Sequence, residues 1–228
     1  MTKLRSCIVL LAGSLIFGAA EAAQSPIPLD ANGEPLPISK IHPAPGTTLT
    51  RFEVVEEGVY HGSKPHTDAD FEFLQSKGIK YIIELHYFPW IYKIEQHRAR
   101  RYGITLIPIT LAAWTFTPNE QRVNKVLCMM HDKKYHPIYI HCSLGRDRAM
   151  LIVGLYDMYF RGMSKEEAWQ HMKHYEFKES WTLRGLKGYF NTHSTQPVSR
   201  FVPDCASPEL KPKQVADAAG TPESCGAH

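Results

Sequence analysis

The sequence predicts one α/β domain, a central mixed, mostly parallel sheet flanked by helices on both faces. Three observations lead there. Short apolar runs of strand length, YIIEL, ITLIPI and PIYI, alternate with longer segments whose apolar spacing and caps are helical, the pattern of crossover units. The 228 residues are 43% hydrophobic, enough for one sizeable core. No apolar run reaches the roughly 18 residues of a spanning helix, so no stable membrane insertion is expected once the chain is processed.

The elements follow in order. Lys3 and Arg5, the apolar run Ile8 to Phe17 and the small-residue stretch ending Ala20-Glu21-Ala22 form a signal-peptide pattern over 1–22, implying export to a periplasm or beyond the cell. Residues 23–48, rich in proline, read as an extended arm. A domain over 49–194 follows. It opens with short strands near 51–55 and 59–61. A helix over 68–76 is announced by Thr67 with Asp70 three residues on and stopped by Gly78. Ile79 to Leu85 is a buried strand, 90–101 a helix ending before Gly103, and Ile104 to Ile109 the next strand. Thr117-Pro118-Asn119-Glu120 reads as a capping box with Thr117 as cap, starting a helix to about Asp132. Pro137 to His141 is the central strand, and the helix after it runs to about Arg161 with Gly162 as its stop. Ser164-Lys165-Glu166-Glu167 caps another helix, and 182–192 forms the last. Residues 195–228 make a proline-rich tail.

Chemistry concentrates in His141-Cys142-Ser143-Leu144-Gly145-Arg146-Asp147-Arg148, placed after the central strand and opening a helix. A short loop of this kind wraps a tetrahedral anion with its backbone N–H groups, and the helix N-terminus adds partial positive charge. Ser143, Leu144, Gly145 and Arg146 supply the wrapping segment, and the planar fork of Arg148 holds two phosphoryl oxygens at once. Ligands belong at the carboxyl ends of the strands, where Cys142 falls.

The His-Cys, five residues, Arg spacing resembles the signature of the cysteine-based protein tyrosine phosphatase superfamily. Val59-Tyr60-His61-Gly62-Ser63-Lys64-Pro65 and the following GIKYIIEL are similar to the opening segment of compact atypical dual-specificity phosphatases. The resemblance spans roughly 50 to 194. It implies a dual-specificity-phosphatase-like fold and a phosphatase working through a phosphocysteine on Cys142, with Arg148 stabilising the transferring group, His141 orienting the loop, and no metal or cofactor. Expected substrates are phosphotyrosine or dual-specificity phosphoproteins, with phosphoinositides or inositol polyphosphates as the alternative. Arg146, a second cation, bears on the latter, unless it is simply solvated.

Two departures from that pattern matter. The aspartate that relatives place on a loop ahead of the nucleophile is missing, since no Asp occurs between Asp70 and Asp132. Leu111 to Glu120 occupies its place; Trp114 either lines the mouth of the site or packs, and Glu120 is the one carboxylate there. Asp147 is the better candidate, because G-x-D-R resembles the loop ending of lipid-directed members in which this aspartate is the proposed acid. Alternatively, Asp147 locks the loop through Arg146 or backbone donors. Ala149 stands where relatives commonly have Ser or Thr, which predicts slow hydrolysis of the phosphocysteine. Together these departures leave open a weakly active phosphate-binding module. Sulfur or arsenate chemistry, which also uses a cysteine in an anion loop, fits the spacing poorly.

A net charge of +3 gives no reason to expect a nucleic-acid partner, and the basic stretch His97 to Arg101 is expected to face solvent. His171 and His174 lie one helical turn apart but lack a recognisable third ligand, so no metal is expected. Cys205 and Cys225 are candidates to close the tail with a disulfide. Cys128 is expected as a packed residue, with a reserve thiol for Cys142 as the alternative. No oligomeric state is specified.

Overall fold

The computed structural model of the protein describes residues 43–86, 92–112, 115–195 and 197–207. The signal pattern of 1–22, most of the arm, Trp114 and Cys225 lie outside the described residues. Five strands form one sheet: β1 (Glu53–Glu56), β2 (Val59–Ser63), β3 (Tyr81–Glu84), β4 (Thr105–Pro108) and β5 (Ile138–Cys142). Their order is β1-β2-β5-β3-β4, with β1 antiparallel to β2 and every other pairing parallel. Six α-helices accompany them: α1 (Asp68–Ser76), α2 (Tyr92–Arg101), α3 (Glu120–His131), α4 (Arg148–Phe160), α5 (Lys165–His174) and α6 (Arg184–His193).

Strand alternation sorts the apolar side chains into two cores. Ile82 of β3 and Tyr139 of β5 face one side, joining Phe71, Leu74 and Ala99 under α1 and α2. Ile83, Ile138 and Ile140 face the other, packing with Val126, Leu151, Leu155 and Phe190 from α3, α4 and α6. The central strand β5 is buried at all five positions. The loop that leaves its carboxyl end is therefore mounted on the most rigid element of the sheet.

Local chemistry explains most helix starts. Thr67 and Asp70 form a reciprocal capping box at α1, and Ser164 and Glu167 do the same at α5. Asp70 is buried and also accepts the Thr48 N–H at 2.6 Å and hydroxyl at 2.7 Å, fastening the chain ahead of β1 to α1. At α3 the expected cap shifts: Asn119, not Thr117, caps the helix, its side chain accepting the Arg122 N–H at 3.0 Å. Arg122 reaches back to the carbonyl and hydroxyl of Thr110, which holds the preceding segment outside the helix.

The cysteine pairing differs from the sequence expectation. Cys128 of α3 is bonded to Cys205, 77 residues on, so Cys205 does not pair with Cys225 and Cys128 is no reserve thiol for Cys142. The tail reaches α3 because it folds back over the domain: Val198 packs on the larger core, and Phe201 lies against the His193 ring.

A buried ionic chain ties β1, β2, α4 and α5 together. Glu53 meets His61 Nε2 at 2.7 Å and His171 Nε2 at 3.3 Å. His171 Nδ1 donates to Asp157 at 2.6 Å, and Asp157 is paired in turn with Arg161. Both ring nitrogens of His171 face carboxylates, so the ring is an imidazolium and not a metal ligand. Burial opposes that charge, but Asp157 and Glu53 push the His171 pKa up to about 10.

Candidate active site

Cys142 ends β5, aligned with Ser63 of β2, and is 3% exposed. It is the free cysteine among the described residues. The loop from Ser143 to Asp147 connects it to α4, whose N-terminus has no side-chain cap and so keeps its N–H groups for a ligand in the loop.

Close backbone packing shapes this loop. Gly145 has φ of +65°, and a Cβ there would lie 2.3 Å from the carbonyl carbon of Gly62 and 2.6 Å from the Ser63 nitrogen. Only glycine satisfies both the left-handed backbone and that approach. Lys64 N–H donates to the Ser143 carbonyl at 3.3 Å, and the Tyr139 hydroxyl donates to the Ser63 carbonyl at 2.6 Å. The Gly62-Ser63-Lys64 motif is thus a backstop for the loop. Arg51 braces the other side: its Nη1 donates to the Leu144 carbonyl at 2.9 Å, and its Nη2 pairs with Glu176. Nothing in the local sequence around Arg51 or Glu176 marks them for this role.

His141 is fully buried behind Cys142. Its Nδ1 faces the Cys142 carbonyl at 3.2 Å and its Nε2 faces the Glu95 carboxylate at 2.7 Å. Both partners are acceptors, so both nitrogens donate and the ring is cationic. Burial alone would lower the His141 pKa; the Glu95 charge and hydrogen bond reverse this and raise it. Glu95, itself buried, is held below the usual carboxylate range against its burial by His141 and by Lys64, whose Nζ lies 3.3 Å away. A chain from Lys64 through Glu95 and His141 therefore reaches the backbone of Cys142.

Arg148 begins α4 and donates through Nη1 to the Leu85 carbonyl at 3.0 Å, which fixes the guanidinium at the end of β3. Asp147 takes the locking arrangement. Its carboxylate receives Arg146 Nε and Nη2 at 2.9 to 3.1 Å and the Lys178 N–H at 3.2 Å. Arg146 is correspondingly committed to Asp147. Ser143 and Leu144 are exposed at the rim, and Ala149 is buried with no hydroxyl to offer. Glu120 is the exposed first residue of α3.

Beside His141, the end of β3 supplies Glu84 and His86. His86 Nδ1 contacts Glu84 Oε1, and donor atoms of Glu84, His86 and His141 lie within 4.8 Å of one another, the set among the described residues with metal-ligand spacing. These side chains are already engaged, His86 with Glu84 and His141 with Glu95, while Glu84 Oε2 is buried without a partner. Glu95 and His86 escape sequence reading because they sit in stretches with no motif, KIEQHRARR and ELHY, whose geometry emerges only when α2 and β3 meet β5.

The sequence profile described as "Tyrosine phosphatase family" matches residues 47–176. The solved core catalytic domain of PP-IP phosphatase SIW14 from S. cerevisiae superposes with a TM-score of 0.56 at 18% identity, covering 70% of this chain and 93% of that one. TpbA from P. aeruginosa gives 0.56 at 17% identity, over 72% of this chain and 94% of its own. A second TpbA structure, in complex with pTyr, gives 0.55 at 16%, covering 70% and 90%. At these identities the likeness is one of fold.

Proposed function

The chain belongs to the tyrosine phosphatase family and is a cysteine-based phosphatase; from that premise we propose that it is an exported protein phosphatase acting first on phosphotyrosine, with dual specificity secondary. The observation behind this reading is the loop itself: a free Cys142 at the end of β5, facing the uncapped start of α4, with Arg148 fixed beside it. Cys142 sulfur attacks phosphorus while the ester oxygen leaves, giving a phosphocysteine. Loop N–H groups and Arg148 stabilise the charge on the equatorial oxygens. Water then cleaves the phosphorus–sulfur bond, releasing phosphate and restoring the cysteine.

The choice of phosphotyrosine rests on the leaving group. Departure of an alkoxide needs a proton donor, whereas a phenolate departs with far less help. The segment ahead of α3 carries no aspartate, and Asp147 is tied to Arg146 and Lys178. Aryl phosphates are therefore the substrates such a site turns over best. Arg146, engaged by Asp147, lends little to a polyphosphorylated substrate. The TpbA complex with pTyr supports the same reading by analogy. Export is supported by the signal pattern of 1–22 together with the Cys128–Cys205 disulfide, a bond that persists in oxidising compartments.

The test is phosphate release from a phosphotyrosine peptide, a phosphoserine peptide, phosphoinositides and inositol hexakisphosphate, comparing the mature protein with Cys142→Ser. Cys142-dependent release, strongest on phosphotyrosine, is expected. Preferential release from a phosphoinositide would replace the substrate assignment. Phosphoryl ligand binding with no Cys142-dependent release at all would leave a binding module, as the missing hydroxyl at Ala149 would favour.

A further inference from the structure

A groove of about 370 Å³ lies between the segment ahead of α3 and the outer face of α6, lined by Thr115, Thr117, Arg184, Tyr189 and Thr192 among others. Its two walls meet because residue 185 is glycine: a Cβ there would stand 2.1 Å from the Phe116 carbonyl oxygen. Both walls are anchored at the phosphate loop. The Leu111 N–H points at the Leu85 carbonyl that receives Arg148, and the Lys178 N–H, shortly before α6, donates to Asp147.

Two groups of this groove, Tyr189 and Arg184, carry donors with no hydrogen-bond or ion-pair acceptor among the described residues, whereas the Thr192 hydroxyl donates to the Gly188 carbonyl and the His193 ring faces the Tyr189 carbonyl. Tyr189 is 3% exposed, yet its hydroxyl has no hydrogen-bond partner among the described residues, an arrangement natural proteins rarely leave without a ligand or water. Burial, with Glu120 adding to it, raises the Tyr189 pKa, so the phenol keeps its proton and acts as a donor. Arg184 stacks its guanidinium over the Trp181 ring at 4.6 Å and has no ion-pair partner among the described residues. The hydroxyls of Thr115 and Thr117 line the opposite wall. Glu120, the carboxylate nearest Tyr189, is exposed at the start of α3 and screened by solvent.

Resting on the phosphotyrosine reading, we propose that this groove is a subsite for a second anionic group of the substrate, a carboxylate or phosphate beside the phosphotyrosine. Arg184 supplies the charge, held flat by Trp181 in a pose suited to two oxygens, and Tyr189, Thr115 and Thr117 supply directed hydrogen bonds. Neither Arg184 nor Tyr189 touches the loop that performs phosphoryl transfer.

The experiment compares kcat/KM for three phosphotyrosine peptides, with neutral flanks, glutamate flanks or a second phosphotyrosine, in the wild type, Arg184→Ala and Tyr189→Phe. The readout is the ratio of anionic-flank to neutral-flank peptide within each variant, which cancels general losses of activity. The wild-type ratio should be about tenfold, collapsing towards one in Arg184→Ala and falling a few-fold in Tyr189→Phe. The larger of the two anionic ratios identifies carboxylate or phosphate as the ligand. A wild-type ratio of one, or a ratio unchanged in Arg184→Ala, overturns the subsite. p-Nitrophenyl phosphate, which carries no flanking anion, separates the two readings: if Cys142 does not support its hydrolysis, the phosphatase assignment fails and the subsite with it.

Discussion

Glu95 sits two hydrogen bonds from Cys142, through a histidine that is cationic because both its nitrogens meet acceptors. It is a positioning residue: it touches no substrate but sets the charge of the ring behind Cys142. Glu95→Gln should preserve the fold, lower kcat about tenfold, and move the alkaline limb of the pH profile to lower pH, because His141 then loses its proton earlier. A purely structural role would leave that limb in place. Asp147, bridging Arg146 and the Lys178 N–H, should act as a brace. Asp147→Asn is expected to reduce turnover of p-nitrophenyl phosphate and of a phosphoserine peptide by similar, few-fold factors; a selective loss on the phosphoserine peptide would mark it as the proton donor instead.

At the scale of elements, the caps separate what is legible in a sequence from what is not. Thr67 with Asp70 and Ser164 with Glu167 are readable because a capping box closes within four residues. At α3 the same local logic points to Thr117, but the Asn119 side chain accepts the Arg122 N–H and takes the cap, while the Arg122 guanidinium binds Thr110. The loop from Cys142 to Arg148 stands out in the sequence because it is contiguous, whereas Arg51, Glu95 and Glu176 come from distant segments and announce nothing locally. The tail disulfide belongs to the second kind, since only the fold-back past His193 brings Cys205 to α3. Cys205→Ser should destabilise the protein by about 4 kcal/mol, the loop-closure figure for a ring of this size, read as a lower midpoint in urea. Activity at 25 °C should persist, because Cys142 takes no part in that bond.

Across the whole molecule, the succession of strands and helices and the mostly parallel character of the sheet could be read from periodicity because two faces of β3 and β5 are apolar, whereas the strand order β1-β2-β5-β3-β4 is seen only in the structure. What periodicity could not reveal is the ionic chain Glu53, His61, His171, Asp157, Arg161, which replaces apolar packing where β1 and β2 meet α4 and α5. It gives the fold a pH optimum. His171 is raised from 6.5 to about 10, so its contribution is complete below about pH 6.5 and is lost as pH rises through 10. Glu53 is lowered below 4.5 despite its burial, held there by His171 and His61, so its contribution is complete above that value and fades as pH falls. Thermal stability should therefore be greatest between pH 4.5 and 6.5 and decline through the alkaline range. His171→Gln should lower the plateau and flatten the alkaline decline; an equally steep decline in the variant would assign it to other groups.

The bond between α3 and the tail also makes a covalent ring from Cys128 to Cys205, and the phosphate loop, α4, α5 and α6 all lie inside it. A protease cutting once at an exposed site in this ring, such as the segment around Trp181, cannot release a fragment. The nicked protein should run as one species on a non-reducing gel and as two after reduction, and a single cut there should be tolerated far better than one outside the ring. In the exported setting proposed above, that is resistance to being dismembered, independent of how seldom the fold opens.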